Sequence, residues 1–439
     1  MNTLYETLVR DLVAFKSIST SAVYKDECLK AATYLRTLFT EKGFTAGFLE
    51  GKNSNPVVYA RYTVDEKAPT IMVYGHYDVQ PAEQPEWQGD AFTVREEKGR
   101  LYARGIMDNK GQFLVHVASI LDLIERKELA YNILFLIEGD EESGSPDITT
   151  LLTAHKKELA CDAVLVSDGE LAGEKPMFEA TFRAAANIRI QLSTAPNDVH
   201  SGIFGGALPN PLHELARIVG TLHDKENRIT VPGMYDGIAK VTASQKKDAG
   251  LVINDAVAKK VAGVKALRTL RGTSFAVQTG FFPSIECSGI QGGYTGEGFQ
   301  NIIPHTAEAR LNVRIAPGQK TKVVVGKVLA HLKKQVAPWA KLTTTVEMHG
   351  DPILVDMNTP LYACAEKILR RVYKHAPMRN FEGASIPIIG ELQRILKVPV
   401  LAIGLANRDS NIHGANENFR IDLIKKGLLF SQGFFSNKV

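Results

Sequence analysis

The stretch Ile71-Met72-Val73-Tyr74-Gly75-His76-Tyr77-Asp78-Val79-Gln80-Pro81 decides how this chain is read. An apolar run leads into a histidine and a carboxylate two residues apart. Strand side chains alternate with period two, so His76 and Asp78 face the same way. Neutral imidazole is a common zinc ligand, and a carboxylate beside it fixes its tautomer and raises its basicity. A single His-x-Asp at a strand end is commonplace; its weight comes from similar clusters after other predicted strands.

On either side of that stretch, helices and apolar strands alternate. A helix is predicted from about Asp26 to Lys42, with Leu29, Ala32, Leu35 and Leu38 inward, and strands at Val57-Tyr62 and Thr70-Tyr74. A helix should start near Lys110 and run to about Lys127, followed by continuous apolar strands at Tyr131-Glu138 and Ala163-Ser167. This pattern predicts an α/β fold whose mostly parallel sheet is covered by helices. From Thr181 the texture changes. An alternating strand at Ala185-Ser193, a helix from Pro211 to about His223, strands at Ser274-Gln278, Ser284-Ser288 and Glu308-Ile315, a helix at Lys322-Val336 and a strand at Leu342-His349 make two βαβ-like halves of antiparallel character. The segment from Tyr235 to Leu270 reads as charged and helical, with no chemistry assigned to it. The first pattern resumes at Leu361-Tyr373 and Val398-Leu405. The expected division is residues 1-182 and 353-439 in one domain and 183-352 in an inserted one; 439 residues exceed what a single core accommodates.

Composition narrows the function. With 44% apolar and 23% charged residues the chain is an ordinary globular protein, and a net charge of +4 gives no argument for a nucleic-acid partner. No apolar run approaches the ~20 residues of a membrane span, so no membrane partner is expected. The scattered Cys28, Cys161, Cys287 and Cys364 fit reduced, mostly buried thiols, and Met1 to Arg10 lacks the character of a signal peptide. The expected location is cytoplasmic.

Five groups of acid and imidazole follow predicted strands, where open α/β sheets collect ligands: His76 with Asp78, Asp108, Glu141 with Glu142, Asp168, and His413. Each has an ordinary explanation. Asp108 could cap a helix, Glu138-Gly139-Asp140-Glu141-Glu142 could be a solvated turn, Asp168-Gly169 is a common turn pair, and His413-Gly414 could be surface loop. Their joint recurrence favours a site. Two imidazoles and three carboxylates suit two divalent metals, with zinc favoured by mixed nitrogen and oxygen ligands. Each metal would take one His, one private carboxylate and one shared carboxylate. A further carboxylate must stay off the metals to move a proton, and the doublet Glu141-Glu142 offers both parts.

These motifs resemble the dinuclear-zinc metallopeptidase family that includes aminoacylase-1, glutamate carboxypeptidases, succinyl-diaminopimelate desuccinylase and the carnosinases. Gly75 to Pro81, then Trp87, then Gly99-Arg100-Leu101-Tyr102-Ala103-Arg104-Gly105 are similar to its cytosolic nonspecific dipeptidase and carnosinase branch, and the resemblance spans nearly the whole chain. It implies an inserted α+β, ferredoxin-like domain that serves as lid and dimerisation surface. It implies two Zn2+ per chain, or Mn2+ in their place: His76, Asp108 and Asp168 on one, and Asp108, Glu142 and His413 on the other. Glu141 would be the general base, Asp78 would orient His76, and a cis peptide would follow Asp108. Val199-His200-Ser201-Gly202 resembles the motif whose histidine reaches the partner subunit's site in a homodimer and stabilises the oxyanion. Asn301 and Arg314 match positions that hold substrate, the arginine suiting a free carboxylate. His349-Gly350 and Gly383-Ala384-Ser385-Ile386-Pro387 match substrate-contacting segments, with Ser385 at a C-terminal carboxylate. Asn109, Asp168-Gly169-Glu170 and Ala415 depart from the family's usual residues. The expected activity is hydrolysis of dipeptides, small peptides being the partners; the alternative is removal of N-acyl or succinyl groups from amino acids or diaminopimelate derivatives.

Overall fold

The computed structural model describes residues 2-382 and 387-436. The chain forms two compact units: Met1–Ala180 with Val355–Asn380 and Glu391–Val439, and Thr181–Leu354 with Phe381–Gly390.

The first unit is built on a twisted sheet. Its strands run in the order Thr45–Leu49, Val57–Tyr62, Asn132–Glu138, Thr70–His76, Ala163–Val166, Val400–Gly404 and Met177–Phe182. The four central ones are mutually parallel and the outer ones antiparallel. Parallel strands need both faces covered, and the central strand Asn132–Glu138 is buried at every residue. The helix Lys110–Glu125 is buried around nearly its whole first three turns: Phe113, Leu114, Val115, Val117 and Ile120 pack apolar surface, and the buried Lys110, Gln112, His116 and Ser119 are hydrogen-bonded. It approaches the sheet closely. A Cβ on Gly75 would lie 2.7 Å from that of Phe113, and one on Gly111 would lie 1.9 Å from the Ile106 carbonyl oxygen. Since the central strands are parallel, their C-terminal ends share one edge, and there His76 ends its strand while Glu141 and Asp168 follow theirs.

In the second unit, strands Ala184–Ser193, Ser284–Gly292, Thr306–Ile315 and Lys341–His349 form an antiparallel sheet in which Thr306–Ile315 and Lys341–His349 flank Ala184–Ser193. With helices Pro211–Gly220 and Thr321–Gln335 this is a βαββαβ arrangement of ferredoxin type. The alternation of Ala186, Ile188, Ile190 and Leu192 inward packs one sheet face against those helices.

Three expectations fail. Ser274-Gln278 is not a strand: Ser274 caps a helix, Phe275–Phe281, whose Ala276, Val277, Gly280 and Phe281 are buried at helical spacing. In the helix Lys25–Glu41 the inward stripe is Cys28, Ala31, Ala32, Leu35 and Phe39, while Leu29 is 47% exposed; Phe39 anchors the phase by stacking on Phe135. Of the four thiols only Cys28 is buried, and Cys287 is exposed on an outward position of its strand. No helix among the described residues is long and apolar enough to cross a membrane.

Candidate metal centre

His76 lies wholly buried at the end of its strand. Its Nδ1 faces Asp78, 3.1 Å from the main-chain oxygen and 3.3 Å from Oδ1, so Nδ1 carries a donated proton and Nε2 is turned to the centre. There Nε2 lies 3.0 Å from Asp108 Oδ1 and 3.6 Å from Asp168 Oδ2. His413 Nε2 lies 3.0 Å from the other Asp108 oxygen, Oδ2, and 3.4 Å from Glu142 Oε2. Two triads result, His76-Asp108-Asp168 and Asp108-Glu142-His413, each with its ligand atoms within 4.8 Å of one another and both using Asp108. The capping explanation for Asp108 does not hold, since its carboxylate is turned to the two imidazoles rather than to the following helix.

Supporting groups hold these side chains. Asp78 accepts the main-chain N–H of Glu141 at 3.2 Å and of Glu142 at 3.0 Å, and the Ser19 hydroxyl at 2.6 Å. It thereby ties the acidic turn to the strand end beneath His76. Gln80 Nε2 donates to Glu142 Oε2 at 2.7 Å. The peptide between Asp108 and Asn109 is cis. Asn109 Nδ2 donates to Asp168 Oδ1 at 2.9 Å, a bond that an ionised aspartate at 109 could not make.

Five carboxylates (Asp78, Asp108, Glu141, Glu142 and Asp168) surround two imidazoles, a deficit of positive charge that suits two divalent cations. The titration of the metal-free cluster follows from this crowding. Burial works against a charged Asp108, yet its hydrogen bonds from His413 and His76 outweigh this and hold it well below the carboxylate range. Burial likewise opposes a charged His76, but bonds to Asp108, Asp168 and Asp78 raise it well above the ordinary value. His413 is pushed up to about 10 by its bonds to Asp108 and Glu142. Glu141 is raised to about 8, chiefly by burial, with neighbouring carboxylates adding to it. A carboxyl in that range is suited to accept and return a proton near neutral pH.

The remaining expected site residues belong to the second unit or lie beyond description. His200 pairs with Ile302 in a short two-stranded ladder, and Ser201 N–H donates to the Asn301 carbonyl at 2.9 Å, so His200 and Asn301 stand together. Gly202 N–H donates to His200 Nδ1 at 3.0 Å, which leaves the proton of the neutral ring on Nε2, the exposed side. Arg314 and His349 lie abreast, each in register with Ala185 on opposite sides of its strand. Ser385 lies outside the described residues.

Sequence reasoning missed a buried ion pair. Glu417 accepts from the main-chain N–H groups of Gly105, Met107 and Asp108 at 2.8–3.1 Å and from Arg104 Nη1 at 2.8 Å. Arg104 Nη2 donates to the carbonyls of Pro81 and His413 at 3.0 and 3.1 Å, and its guanidinium lies over Trp87. This pair fastens the segments on which Asp108, His413 and the end of the opening motif sit. It also holds His413 at φ +59°, a left-handed conformation that a non-glycine residue adopts only when its surroundings fix it. Only the closeness of Glu417 to His413 and of Arg104 to Asp108 in the sequence could have pointed to it.

Comparison with known proteins agrees with this geometry. The profile described as peptidase family M20/M25/M40 matches residues 72–437. The chain is 28% identical over 390 residues to a Beta-Ala-His dipeptidase of Rattus norvegicus, covering 86% of this chain and 79% of that protein. It is 30% identical over 363 residues to a cysteinylglycine-S-conjugate dipeptidase of Corynebacterium striatum, covering 80% and 77%. The crystal structure of an M20 family metallo-carboxypeptidase from Sulfolobus solfataricus superposes with a TM-score of 0.88 at 27% identity, covering 99% of both chains. The chain belongs to peptidase family M20/M25/M40.

Proposed function

We propose that this chain is a metal-dependent dipeptidase. The observation that carries the reading is the pair of triads sharing Asp108. The donor set fits the cations: imidazole nitrogen and carboxylate oxygen suit zinc, with manganese as the substitute. His76, Asp108 and Asp168 would hold one ion and Asp108, Glu142 and His413 the other. When bound, such a pair polarises the scissile carbonyl and makes water acidic enough to react near neutral pH.

The chain's own groups do the rest. A carboxylate oxygen of Glu141 takes the proton of the attacking water and returns it to the departing amine nitrogen. Asp78 keeps the His76 ring turned by accepting at Nδ1. His200, reaching the site of a second copy, donates its Nε2 proton to the oxyanion that develops on the carbonyl. Arg314 holds the peptide's free carboxylate as a bidentate fork, with Asn301, His349 and Ser385 as further contacts. The relatives' names, dipeptidases in two cases, support a two-residue substrate. The chain's cysteines are free, which agrees with a cytoplasmic location.

The test is a panel of dipeptides and N-acyl amino acids assayed after loading with zinc or manganese. Hydrolysis of dipeptides with slow or no deacylation supports the reading; the reverse order would replace it with the deacylase alternative.

A further inference from the structure

Two features of the second unit reach beyond the roles assigned above. One is charge. Residues 240-271 carry eight Lys and Arg against two Asp, a net +6, whereas the whole chain carries only +4. The rest of the molecule is therefore slightly acidic. Helices Ala243–Val252 and Asp255–Ala262 hold four of the eight cations and both Asp, a net +2, while Lys240, Lys265, Arg268 and Arg271 outside them carry the other +4. The helices are seated through the small buried side chains of Ala249 and Ala258, and Asp255 accepts the Phe275 N–H at 2.8 Å. No aromatic residue occurs from 236 to 274, so base stacking has nothing to act on.

The other feature is a cavity of about 380 Å³ where the end of that segment meets the sheet. Its lining includes Arg268 from the segment, Gln278 from the helix Phe275–Phe281, Arg314 from the sheet, and Arg183, while Glu286 is the single carboxylate among the lining residues. Two of the guanidinium groups are oriented by main chain: Arg268 Nη2 donates to the Lys225 carbonyl at 3.0 Å, and Arg183 Nη1 to that of Phe282 at 3.1 Å. Arg268 thus brings to this cavity a guanidinium beyond the Arg314 that a terminal carboxylate would take.

We infer that this cavity receives a second carboxylate, the acidic side chain of the substrate's C-terminal residue. Arg268 is then the specificity-determining contact, and the chain prefers dipeptides ending in Glu or Asp. The inference rests on the dipeptidase reading and on Arg314 as holder of the terminal carboxylate. Forked guanidinium–carboxylate pairing supplies the selectivity, and the basic segment raises the encounter rate with peptides of net negative charge in a salt-dependent way.

The experiment compares kcat/KM for Ala-Glu with the near-isosteric Ala-Gln on the metal-loaded protein. The expected result is a preference for Ala-Glu of about tenfold at low ionic strength, shrinking as salt is raised. In R268E the ratio of the two constants should fall at least about fivefold, and R268K should fall between R268E and the unaltered protein, a lysine keeping the charge without the fork. Arg268 is exposed, so neither substitution threatens folding. Equal constants for the two peptides in the unaltered protein, or a ratio that R268E leaves in place, would overturn the inference and leave the dipeptidase reading standing. Failure to hydrolyse any dipeptide would overturn both.

Discussion

In the first unit Asp108 is 7% exposed, both of its carboxylate oxygens face imidazoles, and the amide before it is tied to a buried Glu417. In the second unit His200 and Asn301 are exposed on a ladder of two residue pairs, fastened at its base by the exposed ion pair of Asp198 with His305. The candidate metal ligand Asp108 sits among buried, closely bonded neighbours, whereas His200 and Asn301 sit exposed among few. Buried polar networks fix one geometry because each unpaired member is costly, whereas surface pairs contribute little. A metal centre needs the first kind of construction, and a surface that must admit and release peptides needs the second.

Substitutions can break this contrast, beginning with the largest effect. Replacing Glu141 by Ala should leave both cations bound and lower kcat by about 10³–10⁴, since it removes only the proton carrier. Metal analysis beside turnover checks this, and a near-normal rate would remove Glu141 from its role. Replacing Glu417 by Gln strands the Arg104 charge in the interior, at a cost of about 3–5 kcal/mol in stability, with weakened metal retention. Denaturant unfolding with and without metal measures both; an unchanged midpoint would mean that the pair carries no weight. For His200, on the sparsely held side, substitution by Ala should lower kcat by about 10² with little change in stability or metal content. Mixing this variant with an inactive Glu141→Ala chain should restore part of the activity if the histidine acts across a dimer. The smallest effect concerns pH. His413 in the metal-free protein lies near 10, above its ordinary value, so at neutral pH it is protonated and a cation must displace that proton. Affinity should therefore rise with pH up to about 10, by about tenfold per unit for each proton displaced. Calorimetry in two buffers of different ionisation heat would detect the release, and uptake without it would contradict the assignment of His413.

Legibility in the sequence followed the same contrast. The parallel sheet was readable because buried strands such as Asn132–Glu138 are apolar at every position, and the ligand-bearing strand ends announce themselves by acid or imidazole after such runs. Ser274 to Gln278 misled because a seven-residue helix offers too few turns for its period to stand out from a strand's. The role of Glu417 was hidden for another reason. Its bonds go mainly to main-chain amides, which leave no mark on the residue types around them. Arg314 and His349 could be placed abreast only once strand register was known, because register depends on turns and partners far along the chain.

The sheet of the first unit receives a central strand, Val400–Gly404, and the centre receives His413, only from the last forty or so residues of the chain. His76, Asp108, Glu142, Asp168 and Glu141 have by then been synthesised, with a gap in the sheet beside Ala163–Val166. Completion of the cluster must therefore await the segment that carries Val400–Gly404 and His413. A nascent chain halted before Val400 would expose the apolar edge of Ala163–Val166 and hold an acidic cluster with His76 as its single imidazole.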